Sequence, residues 1–125
     1  MEHLLTAHFK WEEFDCKDGN KVPQAYWGNL QLLATNLEAL RRAVNKPIQI
    51  ISGYRSPAHN KAVGGAKSSQ HLTASAADLK IEGLTPKQVA NMIEALIASG
   101  RMTQGGLGVY PTWVHYDIRG HKARW

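Results

Sequence analysis

Apolar residues recur at helical spacing in two stretches of this chain. Leu30, Leu33, Leu37, Leu40 and Val44 step by three and four, which predicts a helix over residues 24–44 with one buried stripe. Glu38 and Arg42 lie one turn apart and are expected to pair on its outer face. Asn45-Lys46-Pro47 stops it, because proline disfavours helical geometry in the residue before it. Val89, Met92, Ile93, Leu96 and Ile97 form the second stripe. Thr85-Pro86-Lys87-Gln88 opens that helix as a capping box with proline in the first turn, and Gly100 closes it. Between and after the helices the period shortens. Residues 48–52, 76–81, 105–110 and 113–118 read as strands, the last two joined at Pro111-Thr112. Ser56-Pro57 starts a short helix that ends at Gly64-Gly65. Residues 66–75 read as a polar loop. Residues 1–22 read as irregular, anchored by Phe9, Trp11 and Phe14 and turning at Asp18-Gly19-Asn20. Helices and strands do not alternate cleanly, so the expected fold is α+β with a mainly antiparallel sheet and flanking helices.

At 125 residues, 43% hydrophobic and 20% charged, the chain is expected to be one domain, residues 1–125, with a real core. It has no apolar run of the roughly 20 residues that span a bilayer. No signal-like segment opens it, so it is expected to be made in the cytoplasm. Its single cysteine, Cys16, cannot form an internal disulfide and is read as structural. The net charge of +5 favours anionic partners. Basic residues are dense only in the terminal RGHKARW, and no nucleic-acid motif is present, so charge does not select nucleic acid.

Candidate chemistry concentrates between Ser52 and Asp78 and returns at His115. One carboxylate and two imidazoles, Asp78 with His71 and His115, are a ligand set for a zinc ion that keeps a position open for water. Spacing alone does not decide this: a surface histidine and a salt-bridged aspartate would look the same. Asp78 lies in the largely apolar AADLKI, where a carboxylate needs a partner. By alternation Asp78 shares a strand face with Lys80, and His115 shares one with Asp117. His59 is expected to pack or hydrogen-bond, and His121 to be exposed. Gly105-Gly106-Leu107-Gly108 lacks the ending of a phosphate loop and is read as allowing a tight turn or a close approach to substrate. Trp11, Trp27, Trp113 and Trp125 are read as core or edge anchors, and Tyr110 as a residue lining a cleft.

The ten residues SQHLTASAAD, Ser69 to Asp78, resemble the SxHxxGxAxD signature of the zinc D-Ala-D-Ala carboxypeptidase family. SGYRSPAHN resembles that family's arginine-bearing segment. VHYD, with the Ala123-Arg124-Trp125 end, resembles the closing VHxD…RW pattern of its murein endopeptidase branch. The resemblance runs from about Phe9 to Trp125. It implies a hedgehog- and D-Ala-D-Ala-peptidase-like domain with one zinc ion per chain, held by His71, Asp78 and His115. It implies that Arg55 steadies substrate and transition-state oxygen, and that Ser69 bonds substrate or caps a loop. Several relatives carry a carboxylate base three residues before the last histidine; here that position is Thr112. Asp117 is then either the base or a group that orients a ligand. Ala74 replaces the signature glycine, which would cost stability if the backbone there has positive φ. The function implied is a monomeric zinc peptidase acting on peptidoglycan stem peptides, as a carboxypeptidase or endopeptidase, in the setting of a phage or prophage lysis enzyme that reaches the wall after release. A metal-bearing but inactive wall-binding or phage structural module is the alternative.

Overall fold

The computed structural model describes residues 4–125. Its centre is a five-stranded sheet made of β3 (Gln49–Ser52), β4 (Ala76–Lys80), β6 (Val114–Asp117), β5 (Gly106–Val109) and β7 (Ala123–Arg124), in that spatial order. All neighbours are antiparallel except β5 and β7, which run parallel. A two-stranded hairpin, β1 (Leu4–Thr6) with β2 (Phe9–Lys10), stands apart from it. The helices are α1 (Trp27–Val44), α2 (Pro57–Ala62) and α3 (Pro86–Ala98).

The two apolar stripes build the core. Leu30, Leu33, Leu37 and Leu40 of α1 and Val89, Ile93 and Leu96 of α3 are buried with Leu79, Val114 and Tyr116 of the sheet. The expected punctuation is present. Asn45 takes the left-handed cap that ends α1, Ser56 Oγ accepts the His59 amide at the start of α2, and Thr85 and Gln88 complete the box at α3. No helix among the described residues is long and apolar enough to cross a membrane.

Four expectations need correction. Residues 4–14 are not irregular: they form the hairpin and a short 3₁₀ turn at Trp11–Phe14. The strands are two and three residues long, too short to show a period. The 24–44 helix begins with a 3₁₀ turn at Gln24–Tyr26 before α1. The 66–75 loop contains a 3₁₀ helix, Gln70–Thr73. Glu38 is buried and does not pair outward with Arg42. The β1–β2 hairpin folds over α1 and delivers Thr6 Oγ1, the His8 amide and the His8 ring to its carboxylate at 2.6–2.7 Å. Those bonds outweigh burial and hold Glu38 below the usual carboxylate range.

Candidate metal centre

Strand register makes the centre. Asp78 on β4 lies directly opposite His115 on β6, so both side chains leave the same sheet face. The intervening Ala77, Leu79, Val114 and Tyr116 turn to the core. His71 arrives from the 3₁₀ helix over that face, and all three residues are buried. Their ligand atoms lie within 4.8 Å of one another.

The tautomers follow from the outer partners. His71 Nδ1 lies 2.7 Å from the Gly53 carbonyl, which can only accept, so Nδ1 carries the proton and Nε2 is free. His115 Nε2 lies 2.6 Å from Asp117 Oδ2 and donates to that carboxylate, leaving Nδ1 free. The two free nitrogens sit 3.4 and 3.3 Å from Asp78 Oδ1. Donors bound at 2.0–2.1 Å around a tetrahedral zinc ion are separated by about 3.3–3.4 Å. The three ligand atoms therefore converge at zinc-like spacing, and the residues present fit the ion. Without a metal, positive charge is drawn to the same place as a proton. Burial disfavours charge on His115, but its bonds to Asp117 and Asp78 push its pKa up. Burial likewise works against the Asp78 charge, and the His115 and His71 bonds keep it well below the usual range.

The remaining predicted residues surround this cluster. Arg55 donates from Nη2 to Asp78 Oδ2 at 3.2 Å and from Nη1 to Asn60 Oδ1 at 3.4 Å. Gly65 packs so tightly there that a Cβ would overlap Asn60. Ser69 Oγ accepts the His71 amide, capping the 3₁₀ helix, while the residue also lines the cleft. Tyr110 stacks on Trp113 at 4.6 Å, and its hydroxyl accepts the Trp125 indole N–H at 2.8 Å. Asp117 is fully buried on the side of the His115 ring away from Asp78. It accepts from the Gly106 amide, the Arg119 amide and the Arg119 guanidinium. Burial opposes its charge, and the His115 and Arg119 bonds keep it ionised. Ala74 has φ 57°, the left-handed conformation its family glycine would suit.

Residues 55, 69, 71, 78, 110, 115, 119 and 125 all face a cleft of about 510 Å³. Several contributors escape a reading of the sequence. Arg119 grips Asp117 and lies 5.4 Å from the Trp125 ring; its only trace is the DIR triplet. Gly105 makes room for the Asp117 backbone carbonyl, Gly106 for the Asp117 carboxylate and Gly108 for the Trp125 indole, so these glycines admit the protein's own atoms. Trp125 is half-exposed in the cleft wall, 4.9 Å from the His115 ring, and not a core anchor.

A buried two-histidine, one-aspartate cluster at the floor of a cleft, with an arginine on its carboxylate, defines a metal-dependent hydrolase type of site. The chain belongs to the peptidase M15 family, whose model matches residues 3–117. It is 39% identical over 87 residues to the peptidoglycan L,D-endopeptidase MepK of Escherichia coli K12, and equally to that of Shigella flexneri. The match takes in 64% of this chain and 44% of MepK, so the chain spans less than half the length of these relatives.

Proposed function

We propose that the chain is a zinc-dependent endopeptidase that cuts peptidoglycan stem peptides. The observation that carries this reading is the convergence of three donor atoms at zinc spacing on the floor of an arginine-flanked cleft. Zinc held there would supply Lewis-acid polarisation of the scissile carbonyl and a water with a pKa of about 7.

The chain's own residues do the rest. Arg55 is held by Asp78 and Asn60, so its guanidinium is fixed where negative charge develops on a tetrahedral oxygen. Arg119 adds a second cation to the cleft, which suits stem peptides that carry free carboxylates. Tyr110 and Ser69 line the walls as substrate contacts. Asp117 acts as a positioning group: it fixes the His115 tautomer and has its oxygens already engaged by five donors. Among the described residues that line the cleft, Asp78 is the sole carboxylate, and Thr112 cannot serve as a base.

The MepK relatives favour an endopeptidase acting at an L,D bond over a D,D-carboxypeptidase. The net charge of +5 suits work at an anionic wall, in remodelling or in phage lysis. Thr112 in place of a family carboxylate is what favours the second reading, an inactive wall-binding module. The test is to incubate zinc-loaded protein with muropeptides cross-linked through L,D or D,D bonds, and with pentapeptide monomers, and to weigh the products. Cleavage of the L,D cross-link is expected. Release of D-alanine from pentapeptide alone would make it a carboxypeptidase, and intact substrates with bound zinc would favour the binding module.

A further inference from the structure

A second group of metal-ligating side chains lies outside the residues that line the cleft. Cys16 and Asp18 come from the loop after the first 3₁₀ turn, and His59 from the first turn of α2. Their sulfur, carboxylate and imidazole donor atoms all lie within 4.8 Å of one another. No residue of this group contacts the His71–Asp78–His115 cluster through any described hydrogen bond.

One residue arranges all three. The Ser56 amide points to Cys16 Sγ at 3.4 Å, Ser56 Oγ donates to Asp18 Oδ2, and the same Oγ accepts the His59 amide at 3.2 Å. Ser56 is itself buried. Outer partners that orient several ligands at once are characteristic of built metal sites. The loop is also braced. The Cys16 amide bonds to the Asn20 carbonyl, the Gly19 amide to the Cys16 carbonyl, and the Asn20 amide to Asp18 Oδ1.

The three donors are of suitable kinds. Cys16 is a buried free thiol with no disulfide partner in the chain, and its sulfur faces the Ser56 amide and hydroxyl. Asp18 is oriented by its neighbours: Oδ2 accepts from Ser56 Oγ and Asn20 Nδ2, and Oδ1 from the Asn20 amide. The His59 imidazole makes no hydrogen bond among the described residues, so its lone pair is available. Sulfur with imidazole and carboxylate suits a borderline-soft ion of the zinc class rather than magnesium or calcium.

We propose that Cys16, Asp18 and His59 form a second site for a zinc-class divalent ion, which clamps the 15–20 loop onto α2. Asp18 is exposed, so a water completes the coordination. The clamp has a consequence for the cleft. α2 carries Asn60, which holds Arg55.

Sulfur separates the two sites, because the cleft cluster has none. The full chain, reduced and freed of metal, is titrated with Co²⁺ while the near-ultraviolet thiolate-to-cobalt charge-transfer band and bound metal per chain are followed. Wild type is expected to take two ions and to show the band. Cys16→Ser and His59→Ala should each lose the band and one ion, while His71→Ala should lose one ion and keep the band. A folded wild-type protein that binds cobalt without the band overturns the proposal, as does a Cys16→Ser variant that still takes two ions. Neither result bears on the His71 site, which is read separately from the His71→Ala titration.

Discussion

Replacing Asp117 with asparagine separates a positioning role from a proton-transfer role. The carboxylate is fully buried and accepts from His115 Nε2 at 2.6 Å, Arg119 Nη2 at 2.8 Å, Arg119 Nε at 2.9 Å, the Gly106 amide at 2.9 Å and the Arg119 amide at 3.1 Å. Asparagine keeps the shape but turns one oxygen into a donor. Placed at Oδ1, the new NH₂ faces three donors. At Oδ2 it faces two, of which His115 alone can yield by switching tautomer. The swap is therefore expected at Oδ2. His115 then carries its proton on Nδ1, the atom aimed at Asp78, and is the wrong tautomer for a ligand. Zinc affinity should fall about 10- to 100-fold, which is about 1.4–2.7 kcal/mol. The metal-free protein should also lose about 1.5–3 kcal/mol, the usual worth of hydrogen bonds to a charged group, because Arg119 is partly exposed and keeps some of its solvation. Zinc competition with a chromophoric chelator and urea unfolding measure the two effects. Wild-type zinc affinity and stability with turnover abolished would refute this reasoning and make Asp117 the base.

Three further outcomes follow from the same geometry. Arg55→Lys keeps the charge but cannot reach Asp78 and Asn60 together; kcat should drop about 100- to 1,000-fold with zinc content retained, as measured by turnover alongside metal analysis. Glu38 has a folded pKa below its ordinary 4.5, so its contribution is present above that value and disappears as pH falls through the folded pKa; the unfolding free-energy gap between wild type and Glu38→Gln should be full at neutral pH and narrow as acid titration proceeds below 4.5. Ala74→Gly relieves about 1–2 kcal/mol of left-handed strain, but gives up a buried methyl of about 0.8 kcal/mol and adds about 0.4–1 kcal/mol of unfolded-chain entropy, so thermal unfolding should find it within about 1 kcal/mol of wild type.

The parts of the molecule that local chemistry specifies were legible in the chain. The α1 and α3 stripes, the Ser56 and Thr85 caps and the Asn45 stop each depend on residues within a turn of one another, and they stand where the pattern placed them. The His71, Asp78 and His115 positions came from a motif; the β4–β6 register brings Asp78 and His115 together, and the 3₁₀ helix Gln70–Thr73 brings His71 to them. What was missed depends on distant pairing. Glu38 looked solvent-facing because its partners, Thr6 and His8, precede it by about thirty residues on a hairpin too short to have a period. β7 is two residues long and lies parallel to β5, which no local signal announces. The glycines at 105, 106 and 108 were read as a tight turn or an approach to substrate because the residues that fill their space, Asp117 and Trp125, are known only once the sheet is closed.

The central claim is that His71, Asp78 and His115 hold the metal that makes this chain a peptidase of the wall. Its most direct test pairs zinc per chain with turnover of purified peptidoglycan, wild type against His71→Ala, reading soluble muropeptides by mass spectrometry. The account predicts that the variant stays folded, loses one zinc and releases no new products, while wild type cuts the stem peptides. A His71→Ala protein that keeps its full zinc content and still cuts the wall would contradict it.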